Sequence, residues 1–144
     1  MSLFSVLSIG ASGMAAQRIR AELLTENLAN AETTRTPEGG PYRRKDAVFE
    51  SAVAPSPFSS VFDAELNAPG GVAVSEVVVD NLEPERRYMP GHPDADAQGY
   101  VAFPRVNPAE DMVDLLGASR GYQANVAAMS AVKDMIQRSI DILR

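Results

Sequence analysis

The chain has 144 residues, thirteen Lys and Arg against nineteen Asp and Glu for a net charge of −6, and no cysteine. That length supports one small core and not two. The acidic balance disfavours nucleic acid as a partner, because phosphate contacts need clustered cations, and the missing cysteine removes disulfides, thiolate metal sites and cysteine nucleophiles.

All ten prolines lie between Pro37 and Pro108. This divides the chain into a helical segment, 1–34, a β-rich middle, 35–106, and a second helical segment, 107–144. The opening MSLFSVLSIGASGMAA is apolar and ends in small residues like a secretory leader. It lacks the Lys or Arg that a leader's first part needs, so it reads as helix of the mature protein. Steps of four and three from Leu3 run through Leu7, Gly10, Met14, Gln17, Ala21, Leu24 and Leu28, a coiled-coil-like seam broken at Gly10 and Gln17.

In the middle, turns at Pro37, Gly39-Gly40-Pro41, Pro69-Gly70-Gly71 and Pro90-Gly91 separate three β-prone runs, Tyr42–Phe49, Val72–Val79 and Tyr100–Phe103. Val77-Val78-Val79 is apolar on both faces and predicts a strand covered on two sides. Arg43, Arg44 and Lys45, flanked by Asp46 and Glu50, read as a solvated strand edge. Residues 54–69 read as a loop anchored by Phe58 and Phe62.

Asn107 and Pro108 mark the start of the last helix, as cap and first helical residue. Its seam is Met112, Leu115, Ser119, Tyr122, Val126, Met129, Lys133, Ile136, Ile140 and Leu143. The fold class expected is α+β: long N- and C-terminal helices in a coiled-coil-like pair, parallel or antiparallel, with a small β unit at one end. Further apolar residues off the seams, among them Ile9, Ile19, Leu23, Leu116 and Ile142, exceed what two helices can hide from water and predict neighbours. No run of eighteen apolar residues is present, so no transmembrane segment is expected.

Catalytic candidates are few. His92, Asp94 and Asp96 offer one imidazole and two carboxylates at alternate positions, but no second His or any Cys completes a transition-metal set. The bland alternative makes Pro90-Gly91 and Pro93 turns whose aspartates bond their own backbone. GxSxG and a phosphate loop are both absent.

Three groups of residues carry a resemblance. Ser12-Gly13-Met14 with Asn27-Leu28-Ala29-Asn30-Ala31 and Thr33-Thr34 resembles the general box of the bacterial flagellar rod, hook and filament axial family. Gly39-Gly40-Pro41-Tyr42-Arg43-Arg44, Pro90-Gly91-His92-Pro93-Asp94-Ala95-Asp96-Ala97 leading to Gly99-Tyr100-Val101, and Ser119-Arg120-Gly121-Tyr122-Gln123-Ala124-Asn125-Val126 resemble its proximal-rod members. The resemblance implies a structural, non-enzymatic subunit of the basal-body rod that transmits torque and lines the export channel. Its implied partners are other rod and basal-body proteins and, during secretion, the flagellar export apparatus. It also implies a periplasmic location reached without a cleaved signal peptide, and no cofactor. Leu3, Leu7, Leu24 and Leu28, with Tyr122, Val126, Met129, Ile136 and Ile140, are the expected assembly residues. Asn27, Asn30, Gln123 and Asn125 complete the family pattern. Departures are Arg105, where a small polar residue is common, and 54–69, which matches no known pattern. The competing readings are another axial component and, from a different class, a small metal-dependent enzyme centred on His92, Asp94 and Asp96.

Overall fold

The computed structural model describes residues 3–52 and 70–142, with side chains from Ser5 onward. The expectations placed on residues 54–69, Leu143 and the side chains of Leu3 and Phe4 lie outside the described residues.

Two long helices dominate: α1, Leu3–Ala29, and α2, Pro108–Ile142. Between them come β1, Lys45–Ser51, β2, Val72–Val79, β3, Glu85–Tyr88, and β4, Tyr100–Phe103. The strands form two antiparallel pairs, β1 with β2 and β3 with β4, so the class is α+β.

α1 ends where Asn30 N–H donates to the Glu26 carbonyl (3.1 Å) and its side-chain amide donates to the same oxygen (2.9 Å), which satisfies a carbonyl the helix leaves open. α2 begins at the expected cap, with Ala109 N–H donating to Asn107 Oδ1 (3.2 Å).

The two helices run antiparallel. Along α1, Gly10, Gln17 and Arg20 face Met129, Gly121 and Asp114 in turn. A methyl built on Gly13 would meet the Asn125 amide at 3.0 Å, and one built on Gly121 would meet Gln17 at 3.2 Å. Each glycine thus makes room for a polar side chain from the other helix, which repays its poor helix propensity.

The β1–β2 pair lies along α1 instead of standing at one end of the rod. Lys45 bonds to Asn27, and Val72 N–H donates to Ser12 Oγ (3.1 Å). Seven residues of strand and the helix between residues 12 and 27 each cover about 23 Å, so the lengths match. Register shifts between Val48 and Phe49, where Ser75 is the extra residue of a bulge.

The first strand starts later than expected, because Tyr42 is a buried residue ahead of it. The sequence reading did not anticipate β3. Its four residues, Glu-Arg-Arg-Tyr, are all exposed and are held by pairing with β4, whose Val101 and Phe103 are buried.

Candidate assembly surface

The site begins at a polar junction at the C-terminal end of α1. Asn27 is fully buried. Its side-chain amide pairs with both backbone groups of Lys45, donating to the carbonyl at 2.9 Å and accepting from the N–H at 3.0 Å. A side chain thereby acts as a short neighbouring strand at the open edge of β1. Tyr42 O–H donates to the same Asn27 oxygen at 2.9 Å. Burial, then the charges of Glu26, Asp111 and Asp46, push the Tyr42 phenol from 10.0 up to about 12.

Beside this junction Arg44 reaches Asp46 at 3.2 Å and Asp111, in the first turn of α2, at 3.1 Å. Asp111 is fully buried, and neither of its oxygens accepts a hydrogen bond among the described residues. Burial raises its pKa and the Arg44 charge opposes that rise. The expectation of a solvated basic run holds for Arg43, exposed and bonded to Asn81 (2.8 Å), and fails for Arg44, whose side chain is only 19% exposed.

The face that α2 turns toward α1 differs from the expected seam. Asp111, Ala118 and Val132 are buried, and Gly121, Asn125 and Met129 meet α1. Apart from the shared Met129, each immediately precedes a seam residue. The contact stripe is therefore turned by one residue, about 100° of rotation. The cause is size: Ala118 and Gly121 let the helices approach closely, which Leu115 and Tyr122 would prevent.

The apolar seam of α2 is consequently left on the flank. Tyr122, Val126 and Ile140 are 42%, 45% and 60% exposed, and Met112, Val113, Leu116 and Met135 are also exposed. Leu7 joins Met129, Ile136 and Ile140 in lining an open apolar groove near the N-terminal end of α1. Leu28 is half-buried. Leu24 is 3% exposed and lines a cleft with Ala47 and Phe49 of β1, so it serves the fold of this chain. The sheet adds a second apolar face, since Phe49, Val77, Val78 and Val79 are all exposed. The two-sided cover expected for this strand is not provided within the described residues.

The stretch from Pro90 to Val101 spans most of the β3–β4 connection and the first two residues of β4. Pro90-Gly91 forms a turn closed by His92 N–H to the Met89 carbonyl, and Pro93-Asp94 a second closed by Ala95 N–H to the His92 carbonyl, both 3.1 Å. His92 Nδ1 accepts from Asp94 N–H (3.2 Å), and Asp96 Oδ1 accepts from the Gln98 and Tyr100 N–H groups (2.9 Å each). Asp94 instead ties the loop to the segment after α1, accepting from Thr34 Oγ1 at 2.8 Å, with Arg35 at 3.8 Å. The three side chains are used separately, and they do not converge on one point as metal ligands would.

Comparison with known proteins agrees with the placement of the two helices. A family model described as flagella basal body rod protein matches residues 7–35, and one described as flagellar basal body rod FlgEFG protein C-terminal matches 97–142. The chain is 40% identical to the flagellar basal-body rod protein FlgC of Bacillus subtilis over 99% of both chains. It is 37% identical to that of Borreliella burgdorferi over 100% of this chain and 99% of the relative, and 37% identical to that of Salmonella typhimurium over 99% and 98%. The chain belongs to the FlgC family of flagellar basal-body rod proteins.

For a FlgC-family chain, the residues that sequence reasoning missed are instructive. Asp111 looks like any acid in a helix's first turn, where the dipole favours it, and nothing local announces that it is buried. Gln123 is exposed while Asn125 packs against Gly13. These two members of one motif therefore face different surroundings.

Proposed function

We propose that this chain is a structural, non-enzymatic subunit of the flagellar basal-body rod, whose C-terminal helix carries the surface that other rod subunits cover. The observation that carries the reading is the row of exposed apolar side chains along α2, Met112, Leu116, Tyr122, Val126 and Ile140, left free by a contact with α1 that uses small residues instead. Each large apolar side chain left in water forfeits about 1.5 to 3 kcal/mol, so burying this row drives association.

Tyr122, Val126, Met129, Ile136 and Ile140 form that surface together with Leu7. Segments 1–34 and 107–144 build the helical layer and 35–106 the outer, spacing layer. Torque passes through repeated head-to-tail contacts, which continue into a tube where an isologous patch would stop at a dimer. The helical layer faces the export channel. Delivery through the flagellar export apparatus to the periplasmic rod, without loss of a leader, suits a chain with no disulfide to constrain its unfolding.

The test is to quantify the chain in isolated basal bodies by mass spectrometry, with its N-terminal peptide, and to score swimming of the deletion strain with and without the gene restored. Presence in the rod fraction with an intact N-terminus and restored swimming are expected. Absence from basal bodies would reject the reading.

A further inference from the structure

The turn leading into β1 meets α2 at Asp111, and the C-terminal third of α1 joins through Tyr42, which lies near Asp111 and bonds Asn27. The carboxylate is fully buried, and among the described residues neither oxygen accepts a hydrogen bond. Arg44, 3.1 Å away, supplies its one close opposite charge among the described residues. Every other acid near it makes matters worse. Asp46 lies on the far side of Arg44, and Glu110 and Asp114 flank Asp111 on its own helix. Of the two cations on α1, Arg20 is engaged with Asp114 at 3.5 Å and Arg18 with Glu22 at 3.8 Å. Tyr42, also close, is neutral. Arg44 in turn is positioned by its neighbours, because Lys45 is clamped to Asn27 and Asp80 N–H donates to the Arg44 carbonyl at 2.8 Å.

We propose that Arg44 is a positioning residue that licenses the docking of α2: the helix seats its first turns only on a body in which the Tyr42–Lys45 turn has already placed the guanidinium to meet Asp111. A buried carboxylate without its partner is strongly disfavoured, whereas a neutral isostere in the same place is tolerated far better. The pair therefore makes the C-terminal helix depend on the completed junction between α1 and β1. Docking of α2 and completion of that junction are thereby coupled, so the apolar flank of α2 is presented on a chain whose middle region is in place.

The experiment is hydrogen exchange, read by mass spectrometry on the purified full chain, over peptides covering 108–118 and 45–51. Wild type protects both. Arg44→Ala speeds exchange of 108–118 by roughly a hundredfold or more, the scale expected for stranding a buried charge, while 45–51 stays within about tenfold of wild type because Asn27 still clamps Lys45. Adding Asp111→Asn to Arg44→Ala restores 108–118 to within about tenfold, since the charge that needed compensation is gone. Asp111→Asn alone stays near wild type, with Arg44 retaining Asp46.

Unprotected 108–118 in the wild type, unchanged exchange in Arg44→Ala, or failure of Asp111→Asn to rescue would each overturn the proposal. Collapse of 45–51 in Arg44→Ala would overturn it too, because Arg44 would then be holding the hairpin and not licensing the helix. None of these outcomes depends on where the protein resides in the cell.

Discussion

The two helices are similar in length and opposite in circumstance. α1 is clothed on two sides, by α2 and by the β1–β2 pair, and it buries Ala16, Leu24 and Asn27. Among the described residues, α1 is the one helix or strand that α2 packs against. α2 buries only Asp111, Ala118 and Val132 and leaves Met112, Leu116, Tyr122, Val126 and Ile140 exposed. The lesson is that an apolar seam need not be the seam used within the chain: Ala118 and Gly121, with Val132 and Met129, make the internal contact, while Tyr122, Val126 and Ile140 stay exposed beside it.

The sharpest way to break this contrast is to charge the flank. Val126→Asp with Ile136→Asp should abolish incorporation into basal bodies and swimming, while lowering the stability of the isolated chain by no more than about 1 to 2 kcal/mol, because Val126 is exposed and Ile136 only half-buried. Swimming at the normal rate would remove the flank from the account. The opposite pattern belongs to α1. Asn27→Ala should cost about 2 to 4 kcal/mol in denaturant unfolding, since it strands the Lys45 backbone pair and the Tyr42 hydroxyl in a buried site.

Tyr42→Phe should cost about 1 kcal/mol at neutral pH and change the alkaline behaviour. The phenol's pKa is raised on folding from 10.0 to about 12. Its contribution is therefore fully present below pH 10 and is lost as the pH rises through about 12, a change of about 2 to 3 kcal/mol. Unfolding curves between pH 9 and 12 should show that loss in wild type and not in Tyr42→Phe. Smallest of all, His92→Ala removes one acceptor from a half-buried position in a turn and should change stability by less than about 1 kcal/mol, with swimming intact. Loss of swimming with normal stability would reopen a chemical role for His92.

Much of this architecture was legible. The confinement of proline to the middle, the cap at Asn107 and the heptad rhythm located both helices, and the run Val72–Val79 located β2 to the residue. What escaped depended on distant partners. β3 has no apolar alternation and exists through its pairing with β4. The burial of Asp111 follows from Arg44, sixty-seven positions away in the sequence, and no local pattern encodes it. The one-residue turn of α2's contact face follows from the sizes of Ala118 and Gly121 opposite Gln17, which an apolar-periodicity count scores as indifferent. His92, Asp94 and Asp96 were readable as turn residues because Pro and Gly surround them. The tie from Asp94 to Thr34, sixty residues apart, was not.

Because the chain lacks cysteine, a single Val126→Cys reports on the flank without interference. Maleimide labelling of this variant, in purified chain and in isolated basal bodies, measures directly whether the exposed row on α2 becomes covered. Fast labelling of the free chain and protection by at least about tenfold in the rod is the result expected if that row is the assembly surface. Equal labelling in both would contradict it.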